Sequence, residues 1–101
     1  MHAVADICVI PLTGSVSVRS EVARAHELLR ATGLEVHLHA YGTNIEGPLP
    51  DILAAIENIH ETLHAEGCPR LSTTIKLGTR TDKRSSMDDK VAAVREILGD
   101  A

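Results

Sequence analysis

Neither phenylalanine nor tryptophan occurs in this chain of 101 residues, and Tyr41 is its single tyrosine. A core without aromatics is assembled from Val, Ile, Leu and Ala, each of which buries little area on its own. A chain of this length hides only about 60–65% of its unfolded surface, so association with further copies is a natural source of extra burial. One tyrosine cannot form the row of stacking platforms that single-stranded nucleic acids use. Basic charge is also short. Ten Lys and Arg face 14 Asp and Glu, a net charge of -4, which argues against a nucleic-acid partner. No apolar run approaches the roughly 18–20 residues that cross a bilayer, so no membrane partner is expected. The opening MHAVADICVIPL lacks the basic start of a secretory signal and reads as a strand. Cysteine is scarce too. Cys8 and Cys68 lie far apart, in or beside apolar strands, and are expected as buried thiols rather than a disulfide, which fits a cytoplasmic protein. The chain has no C-x-x-C pair, and neither a P-loop nor a dinucleotide fingerprint, so metal-carrier and nucleotide-loop readings have no support.

What is present is a regular alternation of periods. Residues 3–10, AVADICVI, form a β-branched apolar run that predicts a central strand ended by Pro11. Ser17 is a plausible N-cap for a helix with Val18, Val22, Ala25 and Leu29 on one stripe, stopped near Gly33. Residues 34–41 alternate cleanly, with Leu34, Val36, Leu38 and Ala40 on a core face and Glu35, His37, His39 and Tyr41 on a polar one. Thr43 to Glu46 suffices for a brief return strand. Pro48 opens a second helix, with Gly47 as N-cap, Ile52, Ile56, Ile59 and Leu63 as its stripe and Gly67 as its stop. Residues 70–77 read as another strand. After a polar, basic connection, Ser86 caps a last helix with Met87, Val91, Val94 and Leu98 on one face, ended by Gly99. The order β-α-β-β-α-β plus a C-terminal helix predicts a single α+β domain over residues 1–101. Its expected form is ferredoxin-like: a four-stranded antiparallel sheet with two helices on one face and the other face open.

Residues 60–64, HETLH, match the H-E-x-x-H signature of zinc peptidases, in which two histidines one turn apart hold the metal and the glutamate activates water. That chemistry needs a third protein ligand and a cleft. His37 and His39 are the available donors, but their strand face should point away from the helices. His60 is better read as a helix-flank histidine bonded within the fold, and His64 as a C-terminal histidine favoured by the helix dipole. A zinc-dependent hydrolase using His60, Glu61 and His64 is therefore a remote alternative, and no metal ligand, cofactor or catalytic residue is assigned.

The strand ending in Pro11, the YGTNIEG segment, the helix carrying IHE and the final strand running into Arg80-Thr81-Asp82-Lys83 resemble one family along nearly the whole chain, from Ala5 to Leu98. It is the thiamine-binding proteins of the MTH1187/YkoF type, and the T-x-x-E-G core, Thr43 to Gly47, is the most specific piece of the resemblance. The resemblance implies a ferredoxin-like domain that assembles into homodimers or homotetramers through its sheet. It also implies binding of thiamine or its hydroxymethylpyrimidine moiety rather than catalysis. The residue chemistry suits that ligand. Glu46 can accept from the exocyclic amine or pair with a protonated ring nitrogen. Thr43 and Asn44 supply donors and acceptors, Tyr41 offers a stacking face, and His39 and Ser17 stand on neighbouring segments. An acidic wall suits the thiazolium cation. Two blander readings stand beside this one: YGTNIEG as a tight turn with a short edge strand, Glu46 pairing with Lys76 or Arg80, and the whole chain as a ligand-free structural or regulatory oligomer.

Overall fold

Burial alternates along the first strand, with Ala3, Ala5, Ile7 and Val9 hidden while Val4, Asp6 and Cys8 stay half-exposed. Period-two burial is the mark of a strand with one covered face, and β1 runs His2–Pro11. The structure is a computed structural model and describes residues 1–14, 18–84 and 86–99. After β1 come α1 (Arg19–Arg30), β2 (Glu35–His39), β3 (Gly42–Pro48), α2 (Leu49–Ala65), β4 (Leu71–Thr79) and α3 (Met87–Leu98). The sheet order is β2-β3-β1-β4, antiparallel throughout. With α1 and α2 on one face, this is the expected ferredoxin-like arrangement.

The core lies between that face and the two helices. Ile7, Leu29, Ile45, Ile52 and Ile59 are its largest fully buried side chains, and Ala3, Ala5, Ala25 and Ala55 fill the gaps among them. Leu63 completes the α2 stripe, and Ile56 is partly buried against the same cluster. The stripe expected on α1 holds at Ala25 and Leu29 but not at Val22, which stays exposed at the open side of the helix.

Three boundaries differ from the sequence expectation for local reasons. Ser17 lies outside the described residues; α1 follows Val18, which supplies no side-chain cap. Pro48 rather than Gly47 occupies the N-cap position of α2, and its extended backbone ends β3 as it begins the helix. The segment expected as a brief return strand is a full strand of seven residues, and it is interior rather than at an edge. Gly42 makes that possible: a Cβ there would sit 2.5 Å from the Ile7 carbonyl oxygen, so only glycine lets β3 approach β1 this closely.

The α3 cap forms as the sequence predicts. The Asp89 amide donates to Ser86 Oγ, and the Ser86 amide donates to Asp89 Oδ2, each at 3.0 Å. The backbone bond from Ser86, then its side-chain bond, hold the Asp89 carboxyl below its usual value. A carboxyl that is harder to protonate when folded stabilises fully above the unfolded carboxyl range, near pH 4, and loses its contribution as pH falls through the folded value. Helical Cα chemical shifts in the first turn of α3 are therefore expected to persist at neutral pH and to decay below about pH 4. Shifts that stay constant down to about pH 2 would show that this carboxylate does not hold the turn.

Candidate functional site

Cross-strand pairing decides what each face of the sheet displays. Val36, Ile45, Ala5 and Leu77 stand side by side across the four strands, as do Thr43, Ile7 and Ile75, and these rows face the helices. The intervening rows face away from them. One sets Glu35 opposite Glu46 and Glu46 opposite Val4; the next sets His37, Asn44, Asp6 and Lys76 in line. Alternation thus gathers the polar residues of strands distant in sequence onto one open surface.

Glu46 is the best-anchored group on that surface. Its side chain is 11% exposed, and His2 Nε2 donates to its Oε2 at 2.9 Å. The Met87 amide, at the start of α3, donates to its Oε1 at 3.2 Å. The carboxylate therefore ties the first strand to the last helix. The pairings with Lys76 or Arg80 that the blander reading offered do not form. Arg80 instead makes a two-point contact with Asp82, Nε to Oδ1 at 2.7 Å and Nη2 to Oδ2 at 2.5 Å. The hydrogen bond from Arg80 holds the Asp82 carboxyl well below the usual carboxylate range.

A second carboxylate is engaged nearby. His39 Nε2 donates to Asp6 Oδ1 at 2.5 Å, while His39 Nδ1 accepts from the Tyr41 amide at 3.2 Å. Because Nδ1 accepts, the ring carries its proton on Nε2, toward Asp6. His37 pairs with Glu35 at 2.9 Å on the outer strand.

Two hollows meet at His2. The wider, about 920 Å³, runs between the open sheet face and α3. Asp6, His39, Asn44 and Lys76 line its sheet side, and Met87 and Lys90 its helix side. The narrower, about 500 Å³, has acidic walls, Glu35, Glu46 and Asp88, with Arg84 at its margin. Of the site residues expected from sequence, Glu46, Asn44 and His39 come together on this surface. Thr43 does not: it lies on the opposite face, 5% exposed, with its hydroxyl 3.0 Å from His26 Nδ1. Positions three apart on a strand face opposite ways, so Thr43 and Glu46 cannot grip one ligand on one face. Tyr41, 83% exposed at the β2–β3 turn, lines neither hollow. Ser17 lies outside the described residues. Sequence reasoning missed His2 and Asp6, although the period of β1, extended one residue toward the N-terminus, places both on the open face.

The HETLH histidines are engaged elsewhere. His60 Nε2 lies 2.7 Å from Thr73 Oγ1 on β4, and His64 Nδ1 donates to the Cys68 carbonyl at 2.8 Å. Both bonds fasten α2 to the segment that follows it. Among the described residues no group of three or more His, Cys, Asp or Glu side chains is placed to hold a metal ion. No helix of the described residues is long and apolar enough to cross a membrane. Cys8 and Cys68 are both free thiols; Cys68 is buried, and Cys8 is half-buried on the open face.

A family model described as thiamine-binding protein matches residues 5–95. The chain belongs to the thiamine-binding protein family. Relatives span almost all of it. The UPF0045 protein sll0230 of Synechocystis is 45% identical over 98 residues, covering 97% of this chain and 81% of that protein. The UPF0045 protein ECM15 of Eremothecium gossypii is 40% identical over 101 residues, covering 99% and 96%. The crystal structure of the hypothetical protein MJ1052 of Methanocaldococcus jannaschii superposes with a TM-score of 0.86 at 33% identity, covering 94% of this chain and 97% of that one. A Thermotoga maritima protein with a candidate role in thiamine biosynthesis or salvage shares the fold, at a TM-score of 0.83 and 17% identity, covering 94% and 100%. Family membership gives the chain a thiamine-related role, and the open sheet face is where its polar groups converge.

Proposed function

We propose that this chain binds thiamine or its hydroxymethylpyrimidine moiety without transforming it, on the open face of its sheet, as a homo-oligomer whose second copy completes the pocket. The observation that carries the reading is the position of Glu46. Its carboxylate is largely withdrawn from water, oriented by His2 and by the α3 amide, and set at the wall of an acidic hollow. An aminopyrimidine offers an exocyclic amine and a protonatable ring nitrogen, and an oriented carboxylate is the acceptor for both. Asn44, two residues earlier on the same face, adds a donor and an acceptor. The surrounding negative charge of Glu35 and Asp88 favours the thiazolium cation.

Calorimetric titration with thiamine, and in parallel with hydroxymethylpyrimidine, tests this. Saturable binding near one ligand per chain, or one per pair of chains, is expected. Glu46→Gln keeps the size and the hydrogen-bonding capacity toward His2 but removes the charge, and should weaken binding by about tenfold or more. Unchanged affinity in that variant would remove Glu46 from the site.

A second reading has its own observation. Val91, Val94 and Leu98 form the expected stripe on α3, yet all three are exposed in the single chain. A ligand-free oligomer that buries this stripe would bind neither titrant, and Glu46→Gln, which weakens the anchor of α3, would dissociate it in sedimentation.

A further inference from the structure

The wide hollow is electrically lopsided in a way the proposed ligand does not use. Arg80 and Asp82 cancel, and the Asp6 carboxylate accepts the Nε2–H of His39. Two lining groups have no partner. Lys76 and Lys90 line the same hollow, and their ammonium groups make no hydrogen bond or ion pair with any described side chain. For Lys76 this is unexpected on local grounds. It stands directly across the β1–β4 ladder from Asp6, and opposite charges at directly paired positions normally attract. Asp6 turns instead toward His39, on the same face in the direction of β2. Gly78, the next residue after Lys76 on the same face, leaves the floor bare: a Cβ there would meet only the Val4 carbonyl oxygen, at 3.9 Å. Two unpaired amines against the single Asp6 carboxylate leave an excess of positive charge over this bare floor, and a concave surface of that sign concentrates anions. The neighbouring hollow beyond His2 has the opposite sign.

Resting on the reading of the site as an aminopyrimidine site, we propose that Lys76 and Lys90 form an anion subsite. The ligand class taken is then the phosphate monoester, with its aminopyrimidine toward Glu46 and its phosphate toward the two lysines. A phosphate monoester carries close to two negative charges at neutral pH and accepts charge-assisted bonds from both amines. The same two amines would accept free inorganic phosphate, so the experiment must tell the sources apart.

The test is titration of the full chain with thiamine, with thiamine monophosphate and with inorganic phosphate at matched ionic strength, in the wild type and in a Lys76→Gln/Lys90→Gln double variant. The wild type is expected to bind the monophosphate about tenfold more tightly than thiamine, and the double variant to bind both alike. Inorganic phosphate should raise the wild-type melting temperature more than chloride of equal ionic strength, and should not do so in the variant. Circular dichroism of the variant checks that these two exposed positions have not disturbed the fold. Thiamine binding without preference for the ester would overturn the subsite and leave the proposed function standing. A preference that survives in the double variant would also overturn it. Phosphate protection confined to the wild type, with no binding of thiamine or its ester, would keep the anion site and overturn the thiamine reading. No response to any of the three would overturn both.

Discussion

Ile59→Ala is expected to cost about 2–5 kcal/mol of stability, toward the upper half of that range, measured by urea unfolding followed in the far ultraviolet. Removing a buried isoleucine loses its transfer free energy and leaves a cavity, and the second term depends on whether neighbours can move in. Here they cannot do so easily. Ile59 is 0% exposed, and the cluster it belongs to includes Ala3, Ala5, Ala25 and Ala55, side chains with no rotamers to swing into a void. No Phe or Trp is present to tilt a ring across the gap. A domain of this size holds only about 5–15 kcal/mol in total, so this single change should consume a large part of it. Ile59→Val is the control and should lose about 0.5–1.5 kcal/mol. An alanine variant that loses under about 1 kcal/mol would mean that the core collapses around the gap and is not close-packed at α2.

Gly42→Ala should also be severe, through crowding rather than loss. The added methyl would sit 2.5 Å from the Ile7 carbonyl oxygen and 3.2 Å from its carbon, both backbone atoms, and 3.5 Å from Asp6 Oδ1. Backbone cannot rotate aside as a side-chain tip does, so the β2–β3 hairpin must shift away from β1. Overpacking of this kind costs about 1–3 kcal/mol. The shift acts at the place where His39 reaches Asp6, so the His39 ring resonances should move together with the loss of stability. Gly78→Ala is the matched control. Its methyl would meet only the Val4 carbonyl oxygen at 3.9 Å, and its effect should stay within about 0.5 kcal/mol. Equal effects at both positions would assign the cost to a general intolerance of the sheet for larger residues.

Much of the fold was readable because local signals agreed with one another. Alternation at residues 34–41, the Ile52–Ile56–Ile59–Leu63 stripe, and Ser86 ahead of the Met87–Val91–Val94–Leu98 face each name an element that forms. What failed was information carried between strands. Nothing local in YGTNIEG says that β3 will be interior, because that depends on Ile7 offering its backbone to Gly42 across the sheet. The partners of Glu46 are hidden for the same reason. Lys76 and Arg80 carry the complementary charge, but His2 and the Met87 amide have the position, and position follows from register. The T-x-x-E-G motif groups Thr43 with Glu46. Period two separates them, and the strand is long enough for that period to govern. The α3 stripe shows the same limit, since a pattern states which face is apolar and not what meets it.

The interleaving of β3 bears on how such a protein can change over generations. Ile45 belongs to the core, while Asn44 and Glu46 on either side of it belong to the surface where a ligand would lie. One extra residue between Gly42 and Asn44 would rotate every following side chain to the other face, burying a carboxylate and exposing an isoleucine in the same event. Length variation in this strand is thus closed to a descendant lineage, whereas substitution at positions 44 and 46 stays open. Such a lineage could acquire a taste for a different small molecule by exchanging residues at 44 and 46 while the strand itself keeps its length.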